Sequence, residues 1–248
     1  IIYIVSEVIM KKIDSYLEII AVKLGILLPY KDIELKLTKL PKNERERILR
    51  FHKLEDQQRT LLAHLCIRKC LEKILLIPAD AISINRDRAG RPFLNKYHGW
   101  KGDFNLSHSE EWIICGLTSN GRIGVDIEKI QPIDFSITEL CFTQEELDYF
   151  QHIPHDRQLS FFFDIWTLKE SFVKAIGKGL LYPLDSFGFN MDDWSQNKIT
   201  LRNTNSTFSQ FYFYLNRLEQ NYTIAVCYTD WEQINNSSIK ILDYSEFL

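Results

Sequence analysis

Two carboxylates on one strand are the first residues in this sequence whose types and spacing could do chemistry. Residues 122–130 read RIGVDIEKI and alternate as a β-strand does, so Asp126 and Glu128 lie on the same face of that strand. Like charges this close raise each other's pKa unless a cation lies between them, and ligands that offer only oxygen favour Mg²⁺. The stretch therefore predicts a Mg²⁺ site, and a sheet face open to water is the alternative.

A third carboxylate and a lysine lie one helical turn apart in WTLKESFVKAIGKG, residues 166–179. Glu170 and Lys174 occupy positions i and i+4, with bulky apolar residues between and around them. An exposed Glu–Lys pair on a helix surface is the ordinary alternative and stabilises little. In a crevice, this pair could complete a metal site and neutralise a phosphate.

The stretch FNLSHS, residues 104–109, offers hydrogen-bond donors. If it is extended, Ser107 and His108 point to opposite faces and cannot act on each other as nucleophile and base. The sequence also lacks a GxSxG elbow. Donors that hold a phosphate, or a structural turn, are the two interpretations that remain.

Basic residues gather in two places that could meet an anion. Residues 42–53 are basic and helix-prone, although a charged helix face is usually solvated. Arg91 lies between the turn residue Gly90 and Pro92, where its planar guanidinium could bind an anion with two parallel hydrogen bonds.

The composition is that of an ordinary folded protein. The 248 residues are 45% apolar and 25% charged, and the net charge of −3 argues against bulk electrostatic binding to nucleic acid or to anionic lipid. Segments of about 20 uninterrupted apolar residues, which a membrane span needs, are absent from the sequence. An odd, scattered set of cysteines predicts reduced thiols in a cytoplasmic protein. The five are Cys66, Cys70, Cys115, Cys141 and Cys227.

Periodicity and turn residues predict one long helix and several strands in each half of the chain. Ser119-Asn120-Gly121 is typical of a hairpin turn and would pair the strands 112–118 and 122–130. Helices are expected at 41–53, 55–76, 143–150 and 156–176, and further strands at 18–24, 82–84, 184–190, 198–202, 208–215 and 222–228. The pattern indicates an α+β protein of two similar halves, residues 1–120 and 121–248.

The order and spacing of these motifs resemble the Sfp-type 4′-phosphopantetheinyl transferase family. The stretches that carry the resemblance are RFHKLEDQQRTLL, GRPFL, FNLSHS, GVDIE, FTQEE and WTLKESFVKAIGKGL. The resemblance implies two similar α+β halves in a pseudo-two-fold arrangement, with a cleft between them, in a monomeric enzyme. It also implies coenzyme A as the substrate and Mg²⁺ as the cofactor. The phosphopantetheine arm would move to a serine of an apo acyl or peptidyl carrier protein, with release of 3′,5′-ADP.

The same resemblance implies roles for four residues in the chemistry. Asp126, Glu128 and Glu170 match the family's metal ligands. Glu170 also matches the group that directs deprotonation of the incoming serine. Lys174 matches the lysine that contacts the phosphates and assists the leaving group.

Contacts to coenzyme A are implied for a further set of residues. Ser107 and His108 match a Ser-His pair that touches its phosphates. The remaining contacts would be made at the nucleotide end by Arg47, Gly90, Arg91 and Pro92. Two departures from the family pattern stand out, since Arg91 replaces the usual lysine and Glu44 stands at a position that is usually basic.

Two other functions remain open on the sequence alone. A Mg²⁺-dependent phosphohydrolase, such as a nuclease or phosphatase, would use the same carboxylates to activate water, although the chain lacks a long basic surface for nucleic acid. A non-catalytic homologue that only binds carrier proteins would not need all four residues of the set Asp126, Glu128, Glu170 and Lys174.

The sequence does not choose among fatty-acid, polyketide and nonribosomal-peptide carrier proteins. The resemblance implies that the carrier protein docks near the cleft, around residues 130–150 and in the 160s. The run Phe161-Phe162-Phe163 could contribute to that surface, with core packing as the alternative.

Overall fold

The structure is a computed structural model and describes residues 16–94, 99–179, 182–202, 211–229 and 239–247. The helices in these ranges are α1 (Tyr30–Leu37), α2 (Lys42–Ile48), α3 (Leu54–Leu75), α4 (Thr138–Cys141), α5 (Gln144–His152), α6 (His155–Ile176) and α7 (Met191–Ser195). The first strands are β1 (Leu17–Lys23), β2 (Ile84–Arg86), β3 (Pro92–Leu94), β4 (Asp103–Ser109), β5 (Trp112–Thr118) and β6 (Ile123–Lys129). The later strands are β7 (Gly188–Phe189), β8 (Leu201–Arg202), β9 (Tyr212–Leu218), β10 (Tyr222–Tyr228) and β11 (Ile239–Leu242).

Besides two small two-stranded sheets, β2-β3 and β7-β8, the described residues form two larger sheets, which build four layers with two long helices. One sheet has the strand order β11-β1-β5-β4 and the other has the order β6-β10-β9. Their inner faces share one apolar core, in which Ile114 of the first sheet packs with Val125 and Ile224 of the second. Helix α3 covers the outer face of the first sheet, and α6 covers that of the second. Each half is thus one long helix on one sheet, and the predicted α+β class is confirmed.

The predicted hairpin between residues 112–118 and 122–130 is wrong. Both strands exist, but β5 pairs with β1 and β4, whereas β6 pairs with β10. The turn at residues 119–121 instead carries the chain from one sheet to the other. Turn residues indicate only that a chain reverses direction. Which strands pair depends on which strand edges are available in the folded protein.

Several predicted elements are confirmed, and others are shorter than expected. Helices α3 and α6 lie within one residue of their predicted ends, and Gly177 ends α6 with φ +70°. The prediction for 184–190 was too long, because a 3₁₀ turn at Leu184–Ser186 leaves only β7 as strand. Residues 208–210 of another predicted strand lie outside the described residues. Phe161, Phe162 and Phe163 are all buried in the core of the second half, which supports the packing interpretation.

The last described segment returns to the first half. Strand β11 pairs in parallel with β1, and Phe247 joins the core beneath α3. Lys69 of α3 donates a hydrogen bond to the carbonyl oxygen of Glu246 at 2.6 Å. This part of the range 121–248 therefore lies with the first sheet, because the outer edge of β1 offers backbone groups for pairing.

Leu76 caps α3 in a conformation that suits glycine, and replacing it should stabilise the protein. Its φ is +54° and its side chain is 67% exposed, so Leu76→Gly relieves backbone strain and loses little packing. We expect the free energy of unfolding to rise by about 0.5–1 kcal/mol, measured by urea denaturation. Leu35→Gly is the matched control, because Leu35 is 68% exposed inside α1, where glycine should destabilise. Equal effects of the two substitutions would contradict the argument.

Candidate active site

A cavity of about 420 Å³ lies between the two halves. Strand β4 and the turn before β3 form one wall, and β6 and α6 form the other. Its lining residues are Arg86, Ala89, Gly90, Arg91, Pro92, Asn105, Leu106, Ser107, His108, Asp126, Glu128, Trp166, Glu170, Val173, Lys174, Gly177 and Gly179. Every site residue expected from the sequence lines this cavity except Arg47.

Glycine at position 124 allows α6 to pack directly on β6. A Cβ atom at Gly124 would overlap the carbonyl oxygen of Ser171 and lie 2.5 Å from the backbone nitrogen of Ala175. Asp126 and Glu128 share the Gly124 face of the strand, because side chains two residues apart point the same way. This close packing brings Lys174 of α6 within hydrogen-bond reach of Asp126.

Asp126, Ser107 and Lys174 form a closed triangle of hydrogen bonds. Lys174 Nζ donates to Asp126 Oδ1 at 2.6 Å and to Ser107 Oγ at 2.9 Å. Ser107 Oγ in turn donates to Asp126 Oδ1 at 2.8 Å. Asp126 is only 3% exposed, and its second oxygen, Oδ2, is buried with no hydrogen-bond partner among the described residues. That oxygen is available to a ligand.

Glu128 and Glu170 are held in surroundings that disfavour their charges. Burial, and then the charge of Asp126, raise the pKa of Glu128 to about 7. Burial, and to a smaller extent the charge of Asp126, also raise the pKa of Glu170 above its usual value. Lys174 opposes both shifts. Three carboxylates with one lysine leave an excess of negative charge on this wall, which suits a cation.

The donor set fits a divalent cation that is shared with a phosphate ligand. Within the described residues, no three His, Cys, Asp or Glu side chains are gathered closely enough to hold a metal ion by themselves. Mg²⁺ in phosphate-transfer sites is commonly held by one or two carboxylates together with the oxygens of substrate phosphates. The unpartnered Asp126 Oδ2, with Glu128 and Glu170 on the same wall, meets that requirement.

Side chains of β4 join the two halves along β6. Asp103 Oδ2, Asn105 Oδ1 and Ser109 Oγ accept hydrogen bonds from the backbone N–H groups of residues 123, 125 and 129 at 3.0–3.1 Å. Each pair is separated by 20 residues, as expected for strands that run in the same direction. We call this the side-chain ladder. It fixes the position of Ser107 relative to Asp126.

Arg91 lies deep in the joint between the halves. Its Nη2 donates to Asp103 and also to the carbonyl oxygens of Phe104 and Ile123, at 3.3 and 2.9 Å. Nε and Nη1 are buried without partners among the described residues. The guanidinium is thus partly structural, and Arg91 is also one of the residues that line the cavity.

The turn before Arg91 is built on Asp87 and Gly90. Asp87 Oδ1 accepts from the backbone N–H groups of Ala89 and Arg91, each at 2.9 Å. Gly90 has φ +84°, and no atom lies within 4 Å of a Cβ built on it. Glycine is therefore needed for its backbone conformation and leaves this side of the turn open.

Glu44, which departs from the family pattern, is structural. It is 6% exposed and binds His64 Nδ1 at 2.7 Å and Arg68 Nη2 at 2.6 Å. Arg47 lies outside the cavity lining, and Arg86, which does line it, lies close by. Burial, and then the charge of Arg47, lower the pKa of Arg86 to about 10. The positive charge of Arg47 disfavours the charged form of Arg86, and an anion beside Arg86 would offset this repulsion.

His108 points to the face of β4 opposite Ser107, as the alternation of the strand predicts. The pKa of His108 is lowered, mainly by reduced hydration and to a smaller extent by the charges of Arg59 and Lys174. A neutral imidazole at the cavity can donate one hydrogen bond and accept another.

The side-chain ladder was not predicted from the sequence. Every second residue from 103 to 109 is polar, namely Asp103, Asn105, Ser107 and Ser109. The sequence therefore indicated a strand with four polar residues on one face. The local sequence does not indicate that this face meets the edge of another strand.

A fully buried ion pair joins α6 to α5. Lys169 Nζ lies 2.6 Å from Glu146 Oε2, and both side chains are 0% exposed. The same nitrogen donates to three carbonyl oxygens at 2.7–2.9 Å, those of Cys141, Leu184 and Phe187. Glu146 also accepts from the backbone N–H of Thr143 at the start of α5.

Removing this lysine should destabilise the fold strongly. Lys169→Met leaves Glu146 charged and buried, so we expect the free energy of unfolding to fall by about 3–5 kcal/mol in urea denaturation. Lys42→Met is the matched control, because its partner Glu46 is 3.8 Å away and the two side chains are 82% and 55% exposed. That change should have an effect within about 0.5 kcal/mol. A Lys169→Met protein as stable as the control would show that the buried pair contributes nothing.

Two family models match the chain, one in each half. Residues 122–227 match the 4′-phosphopantetheinyl transferase superfamily, and residues 29–119 match the N-terminal region of 4′-phosphopantetheinyl transferase. The chain is 32% identical over 207 residues to the 4′-phosphopantetheinyl transferase Sfp of Bacillus subtilis (strain 168), a match that covers 83% of this chain and 88% of that protein.

Other relatives match over shorter regions. The 4′-phosphopantetheinyl transferase gsp of Aneurinibacillus migulanus is 40% identical over 146 residues, which are 59% of this chain and 60% of that protein. The corresponding enzyme psf-1 of Bacillus pumilus is 35% identical, over 61% of this chain and 64% of that protein. The chain thus spans less than two thirds of the length of these two relatives in the matched regions.

Among solved structures, similarity is partial. Holo-[acyl-carrier-protein] synthase of Thermotoga maritima matches 44% of this chain and 62% of that chain, with 20% identity and a TM-score of 0.37.

Proposed function

The chain belongs to the 4′-phosphopantetheinyl transferase superfamily, and on this premise we propose that it transfers the phosphopantetheine arm of coenzyme A to a serine of an apo carrier protein. The observation that carries the proposal is the convergence of Asp126, Glu128, Glu170 and Lys174 on one cavity between the two halves. In the reaction, the serine oxygen forms a bond to the β-phosphorus of coenzyme A. The bond from that phosphorus to the bridging oxygen breaks, and 3′,5′-ADP leaves.

Each wall of the cavity supplies a different part of the chemistry. Mg²⁺, when bound by Asp126, Glu128 and Glu170, would supply charge neutralisation of the pyrophosphate. Glu170 accepts the proton of the incoming serine, a role that a carboxylate lining the cavity can fill. Lys174 exchanges its contact with Ser107 for a phosphate oxygen and stabilises the charge on the leaving group.

The first half binds the substrate. Ser107 moves its one hydroxyl hydrogen from Asp126 to a phosphate oxygen, and His108 also donates to the phosphates. Gly90, Arg91 and Pro92 border the nucleotide end. Arg47 and Arg86 receive the 3′-phosphate, because an anion relieves the repulsion between their charges.

The partner is an acyl or peptidyl carrier protein, and we infer that the chain acts as a monomer in the cytoplasm. Its five cysteines are free thiols, which is consistent with a reducing compartment. Within the described residues, no helix combines the length and the apolar character of a membrane span. Exposed Ile137 and Leu140, 37% and 75% exposed, offer apolar contacts to a carrier in the segment 130–150.

Intact mass spectrometry tests the proposed function. The protein is mixed with coenzyme A, Mg²⁺ and a panel of apo fatty-acid, polyketide and nonribosomal-peptide carriers. We expect at least one carrier to gain the mass of the phosphopantetheine arm, and a chelator to prevent the gain. Cleavage of coenzyme A without any carrier would instead indicate a phosphohydrolase, and carrier binding without labelling would indicate a non-catalytic binding protein.

A further inference from the structure

Ser109 forms the last rung of the side-chain ladder and also contacts a carboxylate of the cavity. Its Oγ accepts from the backbone N–H of Lys129 at 3.1 Å. The same oxygen donates to Glu128 Oε2, also at 3.1 Å. Ser109 itself does not line the cavity, so its action on a ligand runs through Glu128.

The two contacts of Ser109 determine where its proton points. A serine hydroxyl carries one hydrogen, and the backbone N–H of Lys129 occupies a lone pair of the oxygen. The hydrogen is therefore free to point at Glu128. Because the Lys129 nitrogen belongs to the backbone of β6, the hydroxyl is fixed relative to the strand that carries Glu128.

The hydrogen bond from Ser109 to Glu128 crosses the joint between the two halves. Ser109 lies on β4 of the first half, and Glu128 lies on β6 of the second. The first half therefore holds a carboxylate of the second. A carboxylate with a fixed donor loses less rotational freedom when it binds a cation.

We propose that Ser109 is a positioning residue that orients the Glu128 carboxylate for a divalent cation. The inference rests on the proposed function, in which Glu128 takes part in binding the metal with coenzyme A. Partners of this kind commonly contribute 10–100-fold to metal affinity.

Binding of Mn²⁺ tests this role separately from catalysis. Free Mn²⁺ is measured by electron paramagnetic resonance during titration of the wild-type protein and its variants with coenzyme A present. We expect Ser109→Ala to weaken Mn²⁺ binding about tenfold. Ser109→Thr keeps the hydroxyl on a strand that tolerates β-branched residues, so its affinity should stay within about threefold of wild type. Thermal unfolding without metal shows whether each variant is folded.

The outcomes distinguish positioning from a purely structural role. A folded Ser109→Ala protein with wild-type Mn²⁺ affinity would overturn the proposal, even if its melting temperature had fallen. Equal losses in the Ala and Thr variants would overturn it too, because the hydroxyl would then not be the cause. If the wild-type protein labels no carrier but Mn²⁺ binding depends on Ser109 as expected, the proposed function fails and the positioning role stands.

Discussion

The Asp126→Asn variant is expected to transfer the phosphopantetheine arm about a thousandfold more slowly than the wild-type protein, the loss that corresponds to about 4 kcal/mol of charge stabilisation. Asparagine keeps the size of the side chain and an oxygen that accepts from Ser107 and Lys174. It loses the negative charge at the buried Oδ2 position, where a cation would be held. The rate is measured by intact mass spectrometry of the carrier, and folding by circular dichroism.

A matched control separates this effect from a general effect of removing a charge. Glu34 is exposed on α1 and is not one of the residues that line the cavity, so Glu34→Gln should leave the rate unchanged. A folded Asp126→Asn protein that keeps more than a tenth of the wild-type rate would remove Asp126 from the metal site.

The Gly124→Ala variant is expected to affect both stability and catalysis. The added methyl group meets backbone atoms of Ser171 and Ala175, which cannot rotate away as a side chain could. Helix α6 must therefore shift outward, and we expect the free energy of unfolding to fall by about 3 kcal/mol. The shift also moves Glu170 and Lys174 away from Asp126, so the transfer rate of the folded variant should fall by about a hundredfold.

Val125→Ala is the control for this prediction. Val125 is fully buried on the opposite face of the same strand, where it packs between the two sheets. Its loss should lower stability by about 2 kcal/mol without moving α6, and the folded protein should transfer at nearly the wild-type rate. Urea denaturation gives the stabilities, and rates are compared where both variants are fully folded. Equal rates in the two variants would show that contact between α6 and β6 at Gly124 does not position the site.

The long helices and part of the cavity lining could be predicted from the sequence. Helix α6 has an apolar face at helical spacing and Gly177 at its end, and these local signals fix its limits. Asp126, Glu128, Glu170 and Lys174 were predicted from residue types and spacing together with the family resemblance. Those inferences need no knowledge of which strands are neighbours.

Strand pairing and hydrogen-bond partners could not be predicted in the same way. Strand β6 pairs with β10, almost 100 residues later, and local turn residues carry no information about such a partner. Arg91 was expected to meet an anion, but its Nη2 binds Asp103 and two backbone carbonyl oxygens. A buried guanidinium takes whichever acceptors the tertiary structure brings near, and the tripeptide around it does not specify them.

The side-chain ladder gives the joint between the halves an unusual sensitivity to amino-acid replacement. In an ordinary sheet, every residue except proline supplies both a donor and an acceptor from its backbone, so pairing survives most substitutions. Here the acceptors on β4 are the side chains of Asp103, Asn105 and Ser109, and each can be lost by changing a single codon. Single substitutions on β4 can therefore change the alignment of the two halves without changing the backbone pairing within either sheet.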